Sequence, residues 1–146
     1  MHPSSDSLFV AGLNQNSLTM CDLRQSSTFF MIIGSGGRVV DFGVETHSMK
    51  NFFTDMVSSV GSTEFAQNGK YIISREYLNV KIWDISQTRK PLLNICTQDS
   101  LKSKLVELFE KHHIYDKFQI SGSPDSATVL TGNYNNAFHC IDVKTG

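Results

Sequence analysis

The sequence predicts an all-β chain of propeller blades interrupted by one helix, and three observations carry that prediction. Three short apolar-alternating runs each close on an aspartate: Leu18-Thr19-Met20-Cys21-Asp22, Leu78-Asn79-Val80-Lys81-Ile82-Trp83-Asp84 and Ala137-Phe138-His139-Cys140-Ile141-Asp142. Each is preceded by a second strand-like run and a turn. Leu8–Ala11 leads into Asn14-Gln15-Asn16, Tyr71–Ser74 into Arg75-Glu76, and Thr128–Thr131 into Asn133-Tyr134-Asn135. The closing aspartates stand at 22, 84 and 142, spaced by 62 and 58 residues. A propeller repeat is about 40–45 residues, so each interval holds one repeat and a surplus.

Both surpluses can be located. Between Arg24 and Met56, the run Phe29 to Ile33 reads as an outer strand, and Gly34-Ser35-Gly36-Gly37 then breaks any periodicity. A partial blade over 1–33 followed by a loop insertion over 34–56 is the reading. Between Gln98 and Lys117, Leu101, Leu105, Leu108, Phe109 and His112 recur at helical spacing, with Asp99 or Ser100 as the N-cap. That places an amphipathic helical insertion at 98–116.

The remaining segments give a blade over 57–97 and a partial blade over 117–146. Val57 to Phe65 and Phe118 to Ser121 read as innermost strands, and Pro91–Cys96 as an outer fourth. Asn68-Gly69 and Ser123-Pro124-Asp125 supply turns. About three blades result, an incomplete propeller, because radial closure of four to eight blades is what removes open strand edges. The expectation is a piece of a longer chain or a truncated product, and the N-terminus enters a strand pattern almost at once.

Composition narrows the function classes. The chain has 146 residues, 40% of them apolar, and a formal charge of −1 from 13 basic and 14 acidic side chains. No single-signed block argues for nucleic acid or an anionic membrane. No apolar stretch reaches the ~18 residues that cross a bilayer, and Met1-His2-Pro3-Ser4 is not a signal peptide. Cysteines at 21, 96 and 140 have neither metal spacing nor an even-numbered framework. Reduced thiols in a cytoplasmic or nuclear protein are the economical reading.

No residue grouping carries catalytic, cofactor or metal chemistry. Trp83-Asp84 reads as a Trp packed between blades and an Asp that accepts from turn amides, with Asp22 and Asp142 in the same role. His112-His113 with Asp116 closes a helix, where a cation suits the C-terminal dipole. Cys21 and Cys140 read as core thiols. Gly34–Gly37 lacks the Lys-Ser/Thr of a phosphate loop. Lys102, Lys104 and Lys111 with Glu107 and Glu110 form a solvated helix face. The turns between second and third strands are the candidate partner-binding rim: Arg75, Glu76, Tyr77, Asn133, Tyr134, Asn135 and Asn136. Exposed Tyr and Arg side chains dominate interface energetics, while Asn-rich turns also accommodate positive φ.

Several of these segments also resemble a known family. Tyr71 to Asp84, Thr131-Gly132-Asn133-Tyr134-Asn135-Asn136, Cys21-Asp22-Leu23-Arg24, Asn51-Phe52-Phe53 with Ser58-Ser59, Leu101–Leu105 and Tyr115-Asp116-Lys117-Phe118 occur in the order found in the WD40 B-type regulatory subunit of protein phosphatase 2A, its fifty-five-kilodalton class. So does His2-Pro3. The resemblance spans nearly the whole chain, is interrupted mainly from Gln25 to Lys50, and corresponds to the central to C-terminal blades. It implies a seven-bladed propeller that is non-catalytic, docks on a helical-repeat scaffold subunit and presents phosphoprotein substrates to the catalytic subunit. Two departures stand out. The family's acidic loop is replaced by a 25–50 segment whose acidic residues are Asp41 and Glu45, and the family's aromatic after Asn136 is Ala137. The family's scaffold-gripping hairpin lies in earlier blades, outside this chain. The alternatives are a WD40 interaction scaffold outside the phosphatase and a truncated non-functional product.

Overall fold

The computed structural model describes residues 1–13, 17–24, 38–43, 56–87, 89–134 and 136–146. They form three antiparallel sheets. The first is β1 (Leu8–Leu13), β2 (Ser17–Asp22) and β3 (Arg38–Gly43), in that order. The second is β4 (Ser62–Phe65), β5 (Tyr71–Arg75), β6 (Asn79–Asp84) and β7 (Leu93–Cys96). The third is β8 (Ile120–Gly122), β9 (Thr128–Gly132) and β10 (Phe138–Asp142). Between β7 and β8 lie a 3₁₀ turn (Asp99–Lys104), the short helix α1 (Leu105–Glu110) and a second 3₁₀ turn (His113–Tyr115).

Strand register makes the sheets copies of one unit. Leu8 faces Asp22, Tyr71 faces Asp84 and Thr128 faces Asp142. The three closing aspartates therefore hold one structural position, and each carboxylate does one job. Asp22 accepts from Arg24 N at 2.9 Å, Asp84 from Ser86 N at 2.8 Å, and Asp142 from Lys144 N at 2.7 Å. Each holds the turn that follows its strand by satisfying an amide two residues on. The bidentate Arg24 guanidinium also pulls the Asp22 carboxyl down to about 2.

The sheets stack face on face. Leu18 and Met20 of the first sheet pack on Phe65, Ile72 and Trp83 of the second. Ile73, Val80 and Ile82 on the second sheet's other face pack on Ile120, Val129 and Ile141 of the third. Burial of such side chains is worth about 1.5–3 kcal/mol each. Trp83 is 1% exposed and its Nε1–H donates to Ser74 Oγ at 2.9 Å, so the largest apolar group is buried with its polar atom bonded. The middle sheet is covered on both faces, so β5 and β6 are buried almost throughout. In the third sheet, covered on one face, β9 alternates buried and exposed.

Several expectations are corrected. Residues 38–43, expected within a loop over 34–56, form β3, where Val39 and Val40 favour a strand and the backbone pairs with β2. The expected strand over Phe29–Ile33 lies outside the described residues. The innermost strand of the second sheet is Ser62–Phe65; residues 56–57 are helical. The expected amphipathic helix is half 3₁₀ turn, and neither Asp99 nor Ser100 caps it through a side chain. Asp99 instead pairs with Lys102 at 2.6 Å. His112 adopts φ 61°, and this left-handed residue ends the helical segment. Cys21 is buried but Cys140 is exposed. They stand one and two residues before their closing aspartates, so the two-residue period of a strand turns them to opposite faces.

Candidate partner-binding rim

The β5–β6 and β9–β10 turns stand side by side at one end of the sheet stack, and the helical insertion folds over the first. Tyr77, Leu78 and Ile114 form a small core there, with Leu101, Leu105, Leu108, Phe109 and Tyr134 packed around it. The insertion is amphipathic for this reason: its leucines and Phe109 reach down to the turn, while Lys111 pairs outward with Glu107 at 2.5 Å.

Three of the seven candidate residues are buried, Tyr77 of them beneath this cover. Arg75, Glu76 and Tyr77 are 0%, 3% and 5% exposed, which corrects the expectation that their turn presents them to solvent. Arg75 Nη1 donates to Thr97 Oγ1 at 2.7 Å, and its guanidinium lies 5.3 Å from the centroid of the Phe118 ring. Its Nη2 is 3.3 Å from the Gln98 side-chain oxygen when that amide is oriented to donate to Tyr77 O at 2.9 Å. Nε has no hydrogen-bond partner, and burial lowers the Arg75 pKa to about 10. Glu76 meets Lys81 in a buried ion pair of 2.5 Å. Burial pushes the Glu76 carboxyl up while Lys81 opposes that rise.

Tyr77 and Tyr134 hold equivalent places in consecutive sheets. Their hydroxyls are 3.1 Å apart, with ring centroids at 6.2 Å. The Tyr134 hydroxyl also lies 2.7 Å from His113 O and 2.8 Å from Asp116 Oδ2, so one proton is shared between two acceptors on the insertion. Burial raises the pKa of both phenols, which keeps them protonated donors at neutral pH. Tyr134 additionally meets Phe118 edge-to-face at 4.9 Å.

Asn133 and Tyr134 are partly exposed and Asn136 is exposed, with φ 51°. Asn133 Oδ1 accepts from Tyr134 N at 2.6 Å, and its amide nitrogen is 2.8 Å from His139 Nε2. Asn135 lies outside the described residues. The surface also includes Tyr115, 55% exposed and stacked on His112 at 6.3 Å. Turn position in the sequence does not point to Tyr115, Asp116 or Phe118 as rim residues. Their run Tyr115-Asp116-Lys117-Phe118 is visible there, but only folding carries it from the insertion to the tyrosine pair. Among the described residues, no three His, Cys, Asp or Glu side chains converge as a metal site would require.

Repeated antiparallel blades, each with its second and third strands in matching register and closed by a turn-holding aspartate, define a WD-repeat propeller array with an accessible turn rim. No protein-family model matches the chain. It is 35% identical over 141 residues, 97% of its length, to the serine/threonine-protein phosphatase 2A regulatory subunit phr2AB of Dictyostelium discoideum. It is 33% identical over 144 residues, 99% of its length, to two isoforms of the 55 kDa B-type regulatory subunit of phosphatase 2A, the beta isoform of Carassius auratus and the gamma isoform of Homo sapiens. The chain spans 28% of the first relative and 31% of the other two. It is a homologue of part of the 55 kDa B-type regulatory subunit of protein phosphatase 2A.

Proposed function

We propose that this chain serves as a non-catalytic part of a B-type regulatory subunit of phosphatase 2A, an adaptor that directs the phosphatase to phosphoprotein substrates. The observation that carries the reading is collinear similarity over 97–99% of the chain to proteins named as such regulatory subunits. The partners are the scaffold and catalytic subunits and phosphoproteins, in cytoplasm or nucleus. The mechanism is recruitment, in which an added binding surface raises the substrate's effective concentration at a catalytic site held by another chain.

On this reading the rim works in two layers. Asn133, Tyr134 and Asn136 meet the partner, together with Tyr115. Arg75, Glu76 and Tyr77 act from beneath by fixing the shape of that surface. Hydroxyls held protonated and carboxylates engaged by turn amides or an ion pair suit binding better than proton transfer.

The test is affinity capture of the purified phosphatase 2A catalytic subunit on the folded chain, with a phosphatase assay alongside. Capture, and activity only when the catalytic subunit is added, is the expected result. Failure to capture it, with Trp83 emission still that of a buried indole, would leave a WD-repeat scaffold outside the phosphatase as the better account.

A further inference from the structure

The insertion between the second and third sheets is bonded within itself but seated shallowly on the rim. Among residues 99–116, Ile114 is fully buried, whereas Leu101, Leu105, Leu108 and Phe109 are half-buried and Val106 is 59% exposed. Strands β5 and β6, by contrast, are buried almost throughout. Inside the insertion, Asp99 pairs with Lys102 and Glu107 with Lys111. The Lys111 and His112 amides donate to Glu107 O and Phe109 O, each at 3.0 Å. His112, at φ 61°, turns the chain back, so that the Tyr115 ring lies 6.3 Å from both the Phe109 and the His112 rings.

The two ends are fixed to different sheets. Thr97 donates to Leu78 O through its amide at 3.0 Å and its hydroxyl at 3.1 Å. Phe118 meets Tyr134 edge-to-face at 4.9 Å and lies under the Arg75 guanidinium. Between these anchors, two phenols hold the returning limb. The Tyr134 hydroxyl is 2.7 Å from His113 O and 2.8 Å from Asp116 Oδ2, and the Tyr77 hydroxyl is 3.4 Å from His113 O.

We propose that residues 99–116 form a strap that swings off the rim as one unit while the three sheets stay folded, with the Tyr134 phenol as its latch. A segment opens ahead of the rest when it buries little apolar surface against its surroundings. The strap's internal ion pairs, ring contacts and amide bonds travel with it and do not oppose the opening. What opposes it is the seating of Ile114 and the half-buried leucine stripe, together with the latch. The rim therefore has two forms. In the closed form Tyr77 and Leu78 are 5% and 4% exposed beneath the strap. In the open form they become an apolar surface beside Tyr134. The inference rests on the fold alone and is independent of the phosphatase reading.

Native-state hydrogen exchange on the full chain, followed amide by amide by NMR, tests it. The strap amides, Lys111 and His112 among them, should share one opening equilibrium, about tenfold or more above that of β5, β6 and β9, with a weak dependence on urea. Tyr134→Phe should speed strap exchange about fivefold, as the loss of one hydrogen bond does. Gly69→Ala strains a turn at the opposite end of the second sheet. It should speed exchange in β5 and β6 about fivefold and leave the strap unchanged. Strap amides that exchange at the rate of the sheets, and follow Gly69→Ala as the sheets do, overturn the proposal, because the insertion then unfolds only with the whole chain. Strap amides that exchange fast but ignore Tyr134→Phe overturn it equally, because they then fray one by one beneath an intact latch.

Discussion

The hydroxyls of Tyr77 and Tyr134 stand 3.1 Å apart at the same position of consecutive sheets, and the second of them reaches Asp116 on the helical insertion. One short polar contact thus joins two blades and the segment inserted between them. Removing the Tyr134 hydroxyl leaves His113 O and Asp116 without that donor.

Tyr134→Phe should destabilise the fold by about 1 kcal/mol, and Tyr77→Phe by a similar or smaller amount. The double variant should cost less than the two single losses combined, because the hydroxyls share a network. Urea titration of the four proteins measures this. Strict additivity would mean that the two phenols are energetically independent.

The Glu76–Lys81 pair is buried at 2.5 Å, with side chains 2% and 7% exposed. Lys81→Met removes one charge and strands the other, which costs about 3–5 kcal/mol when such a pair is broken. Adding Glu76→Gln should recover part of that loss. A Lys81→Met chain that melts with the wild type would show that the pair is not desolvated in solution.

Asp22, Asp84 and Asp142 all have pKa values lowered in the fold, Asp22 by hydrogen bonds from Arg24 and the other two by hydrogen bonds from the following turn. The unfolded chain, with carboxyls near about 3.9, therefore binds protons before the folded one does. Stability from these groups is fully present above about pH 4 and is lost as pH falls towards about 2. Glu76 works in the opposite sense, since burial raises its pKa. The urea midpoint followed by Trp83 emission should fall steadily from about pH 5 to about pH 2. A midpoint that is flat or rises would contradict the capping role.

Gly69 has φ +66°, and a Cβ there would come within 2.7 Å of the His2 ring, which rests edge-on against Phe65. Gly69→Ala should cost about 1 kcal/mol through backbone strain and should also displace His2. The His2 ring proton resonances report the displacement. A variant as stable as wild type, with His2 unmoved, would mean that the turn relaxes without strain.

The blade units were legible because their signals are local. An alternating run, a turn and a closing Asp give the same register wherever they occur, and the backbone supplies that pairing without help from distant residues. Val39-Val40 escaped notice because a run of glycines precedes it and its partner strand β2 lies across an intervening segment. The sequence pattern overstates the helix because Leu101, Leu105 and Leu108 mark a half-buried stripe, and a 3₁₀ turn followed by a short α-helical segment covers that stripe equally well.

The rim shows where sequence reasoning stopped. Turn position alone marked Arg75, Glu76 and Tyr77 as surface residues. Tyr77 is buried by the 99–115 insertion folding back over it, a contact between segments more than twenty residues apart, while Arg75 is closed in by Thr97 and the Phe118 ring and Glu76 pairs with Lys81. The sequence by itself determined the repeated strand pairs, the aspartates that close them and the family to which they are related. Tertiary structure alone decided which face of each sheet is covered and which residues of the rim meet solvent, because burial belongs to the stack and not to any one strand.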